Sequence, residues 1–342
     1  MKKLLLSLLA CLFLLAGCSP ESRLPENYAV GVVRTSGSRA DSDILYFDEA
    51  LQQTGFSHFR YAGLGHLFYP PFVFEDTLCL APEGPANRKD AKTVLTLDLE
   101  SLAQKTYPLD RIAIYSACAD EAALYAASNL NGQSFVSRLS REDGRVTEAV
   151  YDGAYISLVY PHRGLLCAFA EESAPSGTAC RLLLLDPETL AERGSADISG
   201  LGSGVYSAAG EGDTLYFAPM NDAQGGWNAV VGVYDAATGE TGAVSFPQPV
   251  FRVLCADGLL YASHGNPVTG EGSALSVHDP AAGETVTYDL GMWPGQIALG
   301  EGCLYVMDDS RIVRFDLRTM ERLAEAAIPL DAGEYLSGIF AR

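Results

Sequence analysis

The stretch LYVMDDSRIVRFDLRTMERL, Leu304 to Leu323, decides the fold. Its apolar run from Leu304 to Met307 gives way to polar Asp308, Asp309 and Ser310, and a second apolar strand then ends at Phe315. Asp316 follows and opens a polar turn. Aspartate suits the first position of a turn because its carboxylate accepts hydrogen bonds from backbone N–H groups just ahead.

This unit recurs along the chain. The pair Leu304-Tyr305 has counterparts at Leu78-Cys79, Leu124-Tyr125, Leu166-Cys167, Leu215-Tyr216 and Leu260-Tyr261, with the leucines 46, 42, 49, 45 and 44 residues apart. A turn signal precedes each pair, such as Arg163-Gly164 or Asp257-Gly258, and another apolar strand precedes the turn, such as Val250 to Cys255. Six strand–turn–strand hairpins result. A second hairpin follows in each unit, at Asp98, Asp186, Asp235, Asp279 and Asp316, with Ser140 standing in for the aspartate once. Pro187 and Pro280 fit the next turn position, where φ near about −65° is wanted.

The N-terminal part supplies a seventh copy, Ile44 to Phe47 followed by Asp48, with the apolar strand Tyr28 to Arg34 before it. That copy lacks its innermost strand. The missing strand lies at the other end of the chain, in Glu334 to Phe340, which has no hairpin partner after it. Four-stranded units with periods of this size predict an all-β, seven-bladed β-propeller. The C-terminal strand then completes the first blade and closes the ring, which removes a free sheet edge. A count of six blades with an N-terminal addition is the alternative; eight would need a hairpin set that the sequence lacks.

The units Leu215 to Glu240 (LYFAPMNDAQGGWNAVVGVYDAATGE) and Leu304 to Leu323 resemble the bacterial YVTN and quinoprotein-like propeller superfamily. The resemblance covers nearly all of the chain beyond its leader. It implies fold more than function, because propellers host many unrelated activities. Quinoprotein repeats carry a tryptophan a few residues after the DAATGE-like turn, where this chain has Ala243-Val244 and Val286-Thr287. No quinone, and no other cofactor, is therefore expected.

The first residues read as an export signal. Lys2 and Lys3 precede an apolar run from Leu4 to Leu15, broken only by Ser7, and Leu15-Ala16-Gly17-Cys18 follows. A charged start, a short apolar core and a small-residue cut site make a secretory signal, and the run is too short to span a bilayer. The segment resembles the lipobox of bacterial lipoproteins. That implies cleavage before Cys18 and a diacylglyceryl thioether on its sulfur. The expected organisation is a signal peptide at 1–17, a lipidated cysteine and polar tether at 18–27, and a propeller at 28–342. Two or more acyl chains anchor stably where one does not, which predicts an extracytoplasmic protein held at the cell membrane or outer membrane.

The formal net charge is −20. Such a surface repels phosphate backbones and has no attraction for anionic lipid, so nucleic acid is excluded and membrane contact falls to the lipid alone. A monomer that binds an envelope protein, peptide or glycan is expected. Six cysteines remain beyond the anchor: Cys79, Cys118, Cys167, Cys180, Cys255 and Cys303. Most sit in apolar strand-like runs, where free cysteine behaves as a small hydrophobe.

No catalytic motif stands out: there is no Gly-x-Ser-x-Gly elbow, Walker loop, HExxH or EF-hand loop. The glycines at 200, 202 and 204 sit between two strands and read as a loop. His162 and His278 lie at turns and are expected to be solvated. His66 precedes an inner strand and His264 follows a second strand, two kinds of loop that share the channel mouth of a propeller. Trp227 and Trp293 fall on the same predicted face. Tyr69, Tyr155, Tyr206 and Phe251 lie near inner-strand starts, with Arg111 as a cation in a similar place. These nine residues form the candidate ligand site, a platform for sugar rings or a peptide; the alternative role for the aromatics is wedge packing between blades. The rival to a binding module is a propeller-type lactonase or lyase using His66 or His264.

Replacing Cys18 by alanine should abolish palmitate labelling and move the protein from the membrane to the soluble envelope fraction. Unchanged labelling of the variant would contradict the anchor.

Overall fold

The computed structural model describes residues 22–82, 92–175 and 177–342. Cys18 and the export signal lie outside the described residues. No helix among those described is long and apolar enough to cross a membrane.

The chain forms seven antiparallel four-stranded sheets. It begins with β1 (Val30–Ser36), β2 (Ser42–Phe47) and β3 (Gln53–Phe59). Six complete blades follow, each laid down from the inside outward. Blade 2 holds β4 (Phe72–Phe74), β5 (Thr77–Leu80), β6 (Thr93–Asp98) and β7 (Gln104–Pro108). Blade 3 holds β8 (Ile114–Ala119), β9 (Ala123–Leu130), β10 (Gln133–Ser140) and β11 (Val146–Asp152). Blade 4 holds β12 (Ala154–His162), β13 (Leu165–Ala174), β14 (Gly177–Leu185) and β15 (Glu192–Asp197). Blade 5 holds β16 (Ser203–Glu211), β17 (Thr214–Asn221), β18 (Val230–Asp235) and β19 (Thr241–Ser245). Blade 6 holds β20 (Val250–Ala256), β21 (Leu259–Asn266), β22 (Glu271–Asp279) and β23 (Glu284–Asp289). Blade 7 holds β24 (Gln296–Gly300), β25 (Cys303–Met307), β26 (Arg311–Asp316) and β27 (Arg322–Ala327). The last strand, β28 (Glu334–Ala341), returns to pair with β1, setting Val30 opposite Ala341 and Ser36 opposite Glu334. Blade 1 is thus built from both ends of the chain. The fold is the seven-bladed β-propeller that the repeat predicted.

The core is divided into wedges. Seven apolar clusters each join residues of two neighbouring blades, as where Tyr125 and Val136 of blade 3 meet Ile156, Leu183 and Leu190 of blade 4. A sheet with apolar side chains on both faces needs cover on both, and the ring supplies it.

The aspartate turns work as the sequence suggests. Asp186 accepts from the N–H groups of Glu188 and Thr189 at 3.1 and 2.7 Å, and Asp316 from Arg318 and Thr319 at 3.0 and 2.9 Å. These bonds hold both carboxyls below the usual aspartate range, for Asp186 with the Arg193 guanidinium as the largest cause. Four residues beyond the turn-opening residue the backbone is left-handed, in Leu102, Leu190 and Met320 as in Gly144, Gly239 and Gly283. Leu102 and Leu190 accept that conformation while burying their side chains. The burial of a leucine outweighs the roughly 1–2 kcal/mol that left-handed backbone costs.

Two local readings need correction. His162 and His278 are buried, not solvated, because the wedges reach the hairpin ends of the blades. The described end of the tether is not free: Arg23 exchanges backbone hydrogen bonds with Phe56 at 2.9 and 2.7 Å along the outer edge of β3. Gly55 permits this approach, since a Cβ there would lie 2.3 Å from the carbonyl oxygen of Arg23. The six cysteines among the described residues are free thiols, as the apolar runs around them suggest, five of them buried, with Cys255 half-buried.

Leu190→Gly should destabilise the fold by about 2 kcal/mol in chemical denaturation, because the lost packing of about 2–5 kcal/mol exceeds the strain relieved. A stabilised variant would show that strain dominates at this turn.

Candidate functional site at the channel mouth

Five inner strands carry a β-bulge near the same end. The pairing slips at Tyr115 in β8, Ser157 in β12, Tyr206 in β16, Phe251 in β20 and Ser337 in β28. A bulge re-aims the side chain of its extra residue, and three of these five residues are aromatic. The irregular pairing hands their rings to the space above the channel.

A loop of the chain itself fills that space. β4 is only three residues long, so the segment leading into it crosses the channel end. Phe68 packs on Tyr206 and Phe251, with ring centres 5.5 and 6.0 Å apart. Tyr69 packs on Tyr115 and Tyr206 at 5.2 and 5.5 Å, and its hydroxyl meets that of Tyr155 at 3.0 Å. Tyr115 donates to the carbonyl of Ile156 at 2.5 Å. Burial raises the phenols of Tyr69, Tyr115, Tyr155 and Tyr206, leaving them protonated near neutral pH. The ring of His66 stacks on Phe68 at 5.5 Å, and its Nδ1 accepts from the Phe68 N–H at 3.1 Å. Burial and then the charge of Arg252 lower its pKa, favouring neutral imidazole.

Arg252 ties the loop down. Its guanidinium donates to the carbonyls of Leu67, of Phe68 at 2.9 Å and of Tyr206 at 3.1 Å, and lies 4.2 Å over the Phe251 ring. By register Arg252 occupies the place of Ser116 and Ser207, the residues after the bulge in β8 and β16. Those hydroxyls accept from Val159 and Val253 in the next blade, at 3.3 and 3.0 Å. On the other side Gln296 donates to Ser337 at 2.8 Å and accepts from Ile339 at 3.1 Å, while the Ser337 hydroxyl donates to Leu64 at 2.6 Å. Beneath the loop lies a cavity of about 340 Å³ to which all seven inner strands contribute.

Six of the nine residues expected at the mouth meet there: His66, Tyr69, Tyr155, Tyr206, Phe251 and Trp293, the last 6.4 Å from Phe251. Arg111 does not join them, because Glu148 on the outer strand β11 holds it at 2.8 Å and it caps the Phe135 ring. His264 is buried inside blade 6, with Nδ1 at 3.1 Å from the carbonyl of Pro249 and Nε2 at 2.7 Å from the Ser276 hydroxyl. β21 runs on through His264, so the residue is a strand position and not a loop one. Trp227 lies on the hairpin tip between β17 and β18, 37% exposed and stacked on no other ring among the described residues. Phe68, Tyr115 and Arg252 were missed. The arginine had a readable signal, a single charge within the apolar run Val250 to Cys255.

Two polar loops elsewhere are engaged by the chain's own groups. The Gly204 N–H donates to Glu171 at 2.8 Å, so a carboxylate of the chain takes the glycine-rich loop. Asp308 accepts from the N–H groups of Ser310 and Arg311 at 2.9 Å each and pairs with the Arg311 guanidinium at 2.8 Å.

No protein-family model and no curated protein matches the sequence. Solved structures do resemble the fold. BamB from Moraxella catarrhalis aligns with a TM-score of 0.55 at 11% identity, over 93% of this chain and 98% of that one. Apo AztD from Citrobacter koseri aligns at 0.53 and 13% identity, over 92% and 98%. The dihydro-heme d1 dehydrogenase NirN, in complex with DHE, aligns at 0.55 and 13% identity, over 95% and 78%. Likeness at this level of identity is likeness of fold.

The two tryptophans should respond oppositely. The Trp293 ring is wedged between Gly265 and Gly295, where an added Cβ would lie 2.6 Å from it on either side. Trp293→Ala should cost about 3 kcal/mol by denaturation, whereas Trp227→Ala should change stability by less than about 1 kcal/mol. Equal losses would refute the placement of one ring in the packing and the other on the surface.

Proposed function

We propose that this chain is a lipid-anchored, non-catalytic binding module of the cell envelope, and that a protein or peptide docks on the face bearing the channel mouth. One observation carries the reading. Trp227 at 37% and Val268 at 77% exposure stand on the hairpin tips of adjacent blades 5 and 6. These hairpins and the loops feeding the inner strands share one face, as the bonds from Val250 N–H to Asn228 and from Gly153 N–H to Gly132 indicate, at 2.8 and 3.2 Å. Exposed apolar side chains on neighbouring hairpin tips of a strongly acidic chain favour a partner that covers them.

The mouth itself favours binding over catalysis. Its own loop fills it and its phenols are held protonated, while His264 lies apart inside blade 6 with both ring nitrogens taken up by the fold. The anchor fits the same picture. The Ser22 hydroxyl accepts the His58 backbone N–H at 2.9 Å, on the outer strand of blade 1. Four residue steps separate it from Cys18, a reach of about 14 Å at most. A lipid on Cys18 therefore keeps the outer rim of blade 1 beside the membrane and leaves the mouth face open sideways to other envelope components.

The test uses the soluble domain with Trp227→Ala and Val268→Asp combined. The doubly substituted protein should keep the wild-type melting temperature and lose at least tenfold of the crosslinked envelope partner that wild type captures. Undiminished capture, or capture abolished equally by Val150→Asp on the outer rim, would contradict docking on this face. Capture of glycan in place of protein would redirect the partner class.

A further inference from the structure

We propose that the channel cavity is a binding site for a small organic anion, with Arg252 as its charge partner. Arg252 is 2% exposed and borders the cavity. Its acceptors are the neutral carbonyls of Leu67, Phe68 and Tyr206, and no carboxylate pairs with it among the described residues. Its Nε is buried with no acceptor at all. Buried charges are ordinarily paired, because removal from water costs each ion several kcal/mol. Burial accordingly pulls this guanidinium down to about 9.

Scarcity of acid cannot explain the missing partner. The chain carries 43 acidic against 23 basic side chains, yet no carboxylate among the described residues lines the cavity. Glu171, the carboxylate near Tyr155 and Tyr206, is engaged by the Gly204 N–H. The site therefore lacks one negative charge that a ligand would bring. An arginine fork matches carboxylate and phosphate oxygens well.

The space fits a small molecule. Its volume of about 340 Å³ is roughly twice that of an engineered apolar cavity that admits benzene. Below Arg252 the wall is largely apolar, with Leu254, Ile297 and Phe340 among its members. A single-ring or short-chain body with one carboxylate or phosphate ester satisfies both ends. Phe68 and Tyr69 close the mouth, so the ligand enters from the opposite face, where Cys255 and Ala341 are half-buried at the ends of their strands. The site is thus separate from the docking face proposed above, and either can fail without the other.

Titration calorimetry at low ionic strength with benzoate, phenyl phosphate and the neutral benzyl alcohol tests the inference. Benzoate or phenyl phosphate should bind one to one, at least tenfold tighter than benzyl alcohol. The bound anion should also slow N-ethylmaleimide labelling of Cys255, read by peptide mass spectrometry. Arg252→Met, if folded, should lose at least tenfold in affinity, with Arg252→Lys retaining part of it. Where Arg252→Met does not fold, the wild-type selectivity and Cys255 protection decide alone. Absent anion binding, equal binding of benzyl alcohol, binding without Cys255 protection, or undiminished affinity in a folded Arg252→Met protein would each overturn the proposal.

Discussion

The ladder between β1 and β28 is the interaction on which the rest depends. It joins Val30–Ser36 to Glu334–Ala341 across nearly the whole chain. Closure over such a distance is inexpensive, because loop entropy rises by only about 0.6 kcal/mol per doubling of length. Without the ladder, blade 1 loses its inner strand, and the two wedges that flank it lose Leu336, Ile339 and Phe340. The seam is built for close approach. A Cβ on Gly31 would lie 2.1 Å from the Phe340 ring, and one on Gly338 would lie 2.4 Å from Pro71.

Closure and the channel mouth are one piece of structure. Ser337, in the closing strand, donates to Leu64, and Gln296 bridges from blade 7 to Ser337 and to Leu67. Arg252 reaches the same loop from blade 6. The segment that shuts the channel is therefore held by the last strand of the chain and by two inner strands before it. Side chains that lie far apart in sequence become one aromatic layer because the ring brings seven inner strands to a common axis.

The blade count, the aspartate turns and the unpaired last strand were legible because each rests on a local pattern repeated many times. The interior of the mouth was less so. Bulges at Tyr115, Tyr206 and Phe251 depend on which residue faces which across a pair, and one sequence does not display that register. Arg111 and Arg252 both stand near inner-strand starts. Only the slip at Phe251 turns Arg252 over the channel, while Glu148 draws Arg111 to the rim. His162, His264 and His278 were read as loop or turn residues because polar side chains near strand ends are often solvated; here the wedges extend far enough to bury them.

Hydrogen–deuterium exchange of the intact protein tests ring closure most directly. If the β1–β28 ladder holds the ring, the amides of Leu336 to Phe340 should exchange only through global unfolding, as slowly as those of β2 and β25. Exchange of that segment within seconds, while the other inner strands stay protected, would show a ring that stands without its closing strand and would contradict the account.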